Sequence, residues 1–488
     1  MSAPKEDGRA PSDRPDASEL EMSPDAMREL GVAAVDAILG RLAGLAADRP
    51  WQGASRADLE PLLREAPPER GRPAVDVMER ALRDVLPVAA RVDHPRFFAF
   101  VPSAPTWPGV VADFLTAGFN TFQGTWLGSG GPSQLELVVT DWFREWVGYP
   151  ADTAGGLFTS GGSAASLDAL VAAREHAGAP ERPAVFMSDQ SHSALERAAR
   201  IVGVRPEGIR KVASDASFRI RMDELDREVA AARAQDFRPI AVCANAGATN
   251  TGAVDPLDEL ADFCEREGTW LHVDGAYGGF AVLTQRGRAL FAGLERADSI
   301  VLDAHKWLFQ PFEAGCLLVK DVRTLDAAFS VHPEYLQDTL LGMEQVNFAD
   351  RGLQLTRSFR ALKVWMSIQT FGMEAFRGAV ARGMELAERA GAYIEASDRL
   401  ELLSPPSLGV VCFRARPRVA GLDAAAVERF NEEVQNRVIR DGTAMMSSTR
   451  LKGVYALRFC IMAHTTTWAD VERTLEALER HAAAVVPT

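Results

Sequence analysis

Between residues 155 and 319 short apolar runs alternate with stretches whose apolar residues recur at helical spacing. The runs at 184–187, 240–244, 270–273, 299–302 and 316–319 predict buried strands. The stretches 166–175, 222–234 and 256–267 predict amphipathic helices. Such alternation predicts an α/β fold, with a mostly parallel sheet covered by helices. Upstream, Met27, Leu30, Val32, Val35, Ile38, Leu39 and Leu42 predict a helix over about 22–45, with Pro24 in its first turn. A second helix is predicted over 74–85. Helical periodicity resumes after Arg360 and runs to about 396. Strand, helix, strand and helix then follow over 409–414, 424–441, 455–463 and 468–485, a small C-terminal α+β domain. The expected divisions are a disordered tail (1–20, rich in Pro, Asp, Ser and Arg), an N-terminal helical segment (21–95), a large domain (96–370) and a small one (371–488). Residues 329–351 are polar, contain Gly342 and exceed an ordinary connection, which predicts a lid.

Several predicted strands end abruptly in chemistry. Ser299-Ile300-Val301-Leu302 breaks into Asp303-Ala304-His305-Lys306-Trp307. A lysine at that place sits at the sheet edge, where open α/β folds bind ligands. Partial desolvation is expected to lower its pKa and let the amine attack a carbonyl. Leu271-His272-Val273 ends in Asp274, followed by the small residues Gly275 and Ala276. A carboxylate there can keep a pyridine nitrogen protonated. Gly161-Gly162-Ser163 opens a helical pattern and offers free N–H groups and a hydroxyl to a phosphate. Ser191-His192-Ser193 follows another strand and places an imidazole where it can lie flat on a ring.

This ordered set resembles the fold-type I enzymes that use pyridoxal 5'-phosphate, and among them the group II decarboxylases, the aromatic L-amino acid decarboxylase family. The resemblance rests on His94-Pro95-Arg96-Phe97-Phe98-Ala99-Phe100, Gly161-Gly162-Ser163, Ser191-His192-Ser193, Gly247-Ala248-Thr249, His272-Val273-Asp274-Gly275-Ala276-Tyr277, His305-Lys306-Trp307, Pro333-Glu334-Tyr335-Leu336 and Arg357-Ser358-Phe359-Arg360. It implies a seven-stranded sheet with helices on both faces. It also implies decarboxylation of an aromatic L-amino acid to its amine. Lys306 would carry the cofactor, Asp274 would hold the ring nitrogen, His192 would stack on the ring, and Tyr335 would return a proton to Cα. Gly162, Ser163 and His305, with Asp303 beside them, would hold the phosphate, and Thr249 and Ala276 would pack around the ring. Phe100, Val101 and Ser103 would line the substrate pocket, with Phe122 and Trp126 as further candidates. Arg357 would anchor the closed loop or meet the substrate carboxylate. A homodimer with sites at its interface is implied, the N-terminal helices packing on the other subunit. The alternatives are an aromatic aldehyde synthase and a decarboxylase of a non-aromatic amino acid. The presence of both His192 and Tyr335 favours the amine. Two departures from the family pattern bear on the pocket: Gly124 suggests extra room and Thr356 less.

Composition narrows the classes. The chain has 488 residues and a net charge of −14, which argues against nucleic-acid binding. No long uninterrupted apolar run predicts a membrane span, and the polar start does not predict a secretory signal. The five cysteines are scattered without a CxxC pair, as expected of free thiols in a reducing cytoplasm. The eight histidines form no HxH or HxxxH pair, so no metal site is expected.

Overall fold

The computed structural model describes residues 18, 20–331, 345–419 and 421–486. Three helices come first: α1 (Pro24–Gly44), capped by the Ser23 hydroxyl, α2 (Arg56–Leu63) and α3 (Ala74–Arg80), which continues as a π turn over Ala81–Val85. None of the three buries a side chain, and Val32, Leu39 and Val77 are about half exposed. Pro24–Ala47 is long and apolar enough to cross a membrane by length and composition, its most apolar 18-residue window having a mean hydropathy of 1.6. Asp36 and Arg41 interrupt this run, as the sequence showed, without lowering its average far.

Helices α4 (Trp107–Phe119) and α5 (Trp126–Val147) lead into the main sheet. Its strands are β1 (Gly155–Thr159), β2 (Pro183–Ser188), β3 (Ile209–Val212), β4 (Arg238–Asn245), β5 (Trp270–Asp274), β6 (Ser299–Asp303) and β7 (Gly315–Val319). They lie in the order β1-β7-β6-β5-β4-β2-β3, with β7 alone antiparallel to its neighbours. Residues 304–314 are too few for a crossover helix, so β7 must return antiparallel. Helices α6 (Gly162–His176), α7 (Ser193–Ile201), α8 (Met222–Ala234), α9 (Leu257–Glu267), α10 (Gln285–Leu290) and α11 (Arg323–Phe329) complete this layer. Apolar cores lie on both faces of the sheet, one around Phe143, Phe158 and Phe280, the other around Leu170, Met187 and Leu317. Double coverage explains why β2, β6 and β7 read as continuous apolar runs.

Helix α12 (Ala361–Ala396) bends at Gly372, whose φ of +72° suits glycine. The boundary expected between 370 and 371 falls inside this helix, beside that bend. Beyond it, β8 (Leu400–Leu402), β9 (Val410–Ala415), β10 (Ser447–Leu451) and β11 (Val454–Cys460) form an antiparallel sheet in the order β10-β11-β9-β8, covered by α13 (Ala424–Arg440) and α14 (Trp468–Ala484). Phe98, Phe413 and Phe459 lie at its core. Several bonds tie this unit to the loops at the carboxyl ends of the large sheet, among them Gly409 N–H to Tyr277 Oη (2.8 Å), Ser407 Oγ to Gly252 O (2.8 Å) and Thr449 Oγ1 to Asn250 Oδ1 (2.9 Å).

Candidate active site

The carboxyl ends of β1, β2, β4, β5 and β6 converge on one cavity of about 260 Å³. Asp274 is the last residue of β5 and Asp303 the last of the adjacent β6, so the pairing of these strands brings their carboxylates to one edge. The turn after β6 then carries His305 and Lys306 into the cavity wall. Lys306 Nζ lies 2.9 Å from Asp303 Oδ2. His305 Nδ1 accepts the Ala314 N–H (3.0 Å), leaving its Nε2 3.7 Å from the same carboxylate oxygen. Burial pushes the His305 pKa down, so this imidazole is neutral at pH 7.

The Lys306 pKa is raised, which corrects the expectation of a lowered one. Burial is the largest single influence and favours the neutral amine, but Asp303, with Asp274 behind it, outweighs that effect. The omitted charge was Asp303, three residues upstream on the same turn. Asp274 is shifted up chiefly by burial, with Lys306 opposing. Its Oδ1 accepts the Ala276 N–H (3.1 Å), and the carboxylate also borders the cavity.

Gly162 and Ser163 begin α6 and also line the cavity. As first-turn residues their N–H groups have no intrahelical acceptor. A Cβ on Gly162 would lie 2.9 Å from Ala276 Cβ and 3.1 Å from Asp303 Oδ2, so only glycine lets the turn sit this close to the two strand ends. His192 caps α7: its Nδ1 accepts the Ala194 N–H (3.2 Å), so a neutral ring carries its proton on Nε2. Thr249 completes the opposite wall. The cavity therefore offers free N–H groups at a helix start, a flat imidazole, a deep carboxylate with a raised pKa and an amine. This donor set fits pyridoxal phosphate: anion, ring face, ring nitrogen and carbonyl each have a matching group.

The pyridoxal-dependent decarboxylase conserved domain matches residues 57–416. An aromatic-L-amino-acid decarboxylase of Bacillus atrophaeus is 39% identical over 456 residues, covering 93% of this chain and 94% of the relative. A phenylacetaldehyde synthase of Petunia hybrida is 29% identical, covering 87% and 88%. The chain belongs to the pyridoxal-dependent decarboxylase family. Among solved structures, the Oryza sativa TDC with PLP and tryptamine superposes on this family member with a TM-score of 0.90 at 28% identity, covering 96% of this chain and 99% of that one.

In this decarboxylase-family chain the cavity brings together Lys306, Asp274, His192, Gly162, Ser163, Thr249, Ala276, His305 and Asp303. Tyr335 lies outside the described residues. The expected substrate-side residues do not line this cavity within one chain. Phe100 is 60% exposed on a neighbouring loop, beside Val101. Ser103 is buried and donates to Ala104 O (3.3 Å). Phe122 packs over Gly128, and Trp126 starts α5 with its N–H on Asn347 Oδ1 (2.9 Å). Gly124 does not create room: a Cβ there would lie 2.5 Å from both Leu355 O and Phe122 Cζ, so the glycine serves chain packing.

Arg357 is corrected outright as a partner of the substrate carboxylate. Its guanidinium is fully buried, pairs with Glu136 (2.5 Å), donates to Phe158 O (2.7 Å) and Gln123 O (3.1 Å), and lies over the Phe348 ring. It joins α5, β1 and the 345–357 segment. Glu136, an acid within the buried face of α5, was the available sign of such a partner.

Two residues escaped the sequence reading, one in the cavity wall and one beside it. Asn245 ends β4 and lines the cavity, carrying the same strand-end signal as Asp274. Arg458, buried within β11, donates to Asn250 O (3.2 Å) and Phe100 O (3.0 Å), and no carboxylate pairs with it among the described residues. It ties the loop carrying Thr249 to the loop carrying Phe100. An arginine inside an apolar strand was its signal.

Proposed function

We propose that this enzyme decarboxylates an aromatic L-amino acid to the corresponding amine and CO2, with Lys306 holding pyridoxal phosphate. What supports the substrate class is the likeness to the aromatic-L-amino-acid decarboxylase of Bacillus atrophaeus, 39% identical over 93% of this chain.

Bound pyridoxal phosphate supplies an electron sink for the pair left at Cα when CO2 departs. The Gly162 and Ser163 N–H groups would hold its phosphate at the start of α6. Asp274, its carboxyl shifted upward, would share a proton with the ring nitrogen. His192 would face the ring with its Nε2–H available, and Thr249 and Ala276 would hold the ring's position. Tyr335 is assigned proton delivery to Cα from the sequence alone.

We also propose a homodimer in which a second copy covers α1 and α3, whose Met27, Val32, Leu39 and Val77 face solvent in one chain. This copy would bring the aromatic loops around Phe100 and Phe122 to a shared site. Sedimentation equilibrium should give twice the chain mass; an active monomer would contradict the pairing. A cytoplasmic location accords with Cys243, Cys264, Cys316, Cys412 and Cys460, all buried and unpaired.

The substrate class is tested by kcat/KM for Trp, 5-hydroxytryptophan, Phe, Tyr and DOPA against Glu and Asp. A preference of at least about 100-fold for one or more aromatic substrates is expected. Equal or better use of an acidic substrate would overturn the reading.

A further inference from the structure

We infer that Asp255 and Asn245 are positioning residues for His192, fixing its imidazole through Ser191. Asp255 is 2% exposed, and no lysine or arginine pairs with it among the described residues. Its charge is met by three N–H groups: Ile220 N on Oδ1 (2.7 Å), Asn245 N (2.7 Å) and Asn245 Nδ2 (2.9 Å) on Oδ2. Two of the three come from one residue, so the carboxylate grips both the backbone and the carboxamide of Asn245. The second hydrogen on Asn245 Nδ2 reaches Ser191 Oγ at 3.4 Å, a long bond. Ser191 immediately precedes His192 in the turn that opens α7, and its N–H donates to Ser188 O (3.0 Å) at the end of β2. The chain from Asp255 to Ser191 thus links β4 to the His192 turn on β2, its neighbour in the sheet.

Burying a carboxylate without a cation is costly, and burial raises the Asp255 pKa to about 6 despite its three donors. A purely structural fastening between two parallel strands would not need a charge. A fixed charge is useful for holding one carboxamide orientation, since only Nδ2 and not Oδ1 can face it. That choice turns the donor toward Ser191. Among the described residues no side-chain bond to Asn245 Oδ1 accompanies those of Nδ2.

The inference rests on the reading of His192 as the residue against the cofactor ring. The competing outcome is oxidative: Cα becomes the aldehyde with loss of CO2 and ammonia, one water is consumed, and O2 takes two electrons and two protons to give H2O2. A loosened His192 favours this outcome and alters the visible absorption of bound pyridoxal phosphate.

The experiment compares holoenzyme carrying Ser191→Ala, Asn245→Ala, both together, Asp255→Asn and His192→Ala. The readouts are the absorption band, the cofactor affinity from its titration, and the aldehyde fraction of the product in air. Ser191→Ala removes one half-buried hydroxyl and keeps the test available if Asp255→Asn fails to fold. Ser191→Ala and Asn245→Ala should each raise the aldehyde fraction about 3- to 10-fold and move the band, and the double variant should add nothing further. If His192→Ala shifts product and band while Ser191→Ala and Asn245→Ala do not, or if their effects simply multiply, the positioning chain is overturned. If His192→Ala itself shifts neither, the underlying reading of His192 fails and the inference falls with it.

Discussion

Lys306→Ala is expected to lower kcat by at least about 10³-fold and to release the cofactor on gel filtration. Lys306 is the amine at the mouth of the turn after β6, and among the described residues no other lysine lines the cavity to replace it. Its Nζ is held by Asp303 at 2.9 Å, so the position of the amine is set before any carbonyl arrives. The same contact keeps the amine protonated in the ligand-free protein, since the Lys306 pKa is raised. Only the neutral amine attacks a carbonyl, so reloading of apoenzyme with pyridoxal phosphate should accelerate as pH rises. Lys306→Arg should not restore activity, because a guanidinium stays protonated. Retention of tightly held cofactor and turnover within tenfold of the parent would remove Lys306 from its assigned role.

Asp274→Asn should separate activity from stability. The variant keeps the size of the side chain and an oxygen for the Ala276 N–H, but it cannot hold a proton on the ring nitrogen. A loss of about 10²- to 10³-fold in kcat is expected, as for removal of one preorganised charge. The folded pKa of Asp274 lies above its unfolded value, chiefly through burial. The unfolded chain therefore releases this proton at lower pH than the folded one. The carboxyl costs stability progressively as pH rises from the unfolded value through the folded one. Ligand-free Asp274→Asn should accordingly melt at the same temperature as the parent or higher when neutral. Lower activity with unchanged or raised Tm is the expected pair of results. A large drop in Tm of the ligand-free protein would mark Asp274 as a structural acid instead.

The strand ends were the most legible part of the site. An apolar run halting at Asp274, or at Asp303 before Lys306, reports a polar group at a sheet edge whatever the tertiary fold. Strands β1 and β3 were missed because Gly155-Gly156 and Arg210-Lys211 break the apolar pattern that marked the others. Strands β8 and β10 lie at the edges of the small sheet, where polar residues are tolerated. The Lys306 pKa was misjudged because burial is suggested by the sequence around a residue, whereas the 2.9 Å approach of Asp303 depends on how the turn closes. Arg357 was misplaced for a related reason. Its partner Glu136 lies 221 positions away, and nothing local separates a cation facing a substrate from one closing a buried ion pair. The pocket residues Phe100 and Phe122 were named by resemblance, and a single chain does not bring either to the cavity.

The most direct test is the product formed from an accepted aromatic amino acid by the holoenzyme in air and in D2O. Amine and CO2 in equal amounts, one deuterium at Cα of the amine, and no peroxide above background are expected. Aldehyde with ammonia and a stoichiometric yield of peroxide would contradict the assigned reaction while leaving the family membership intact.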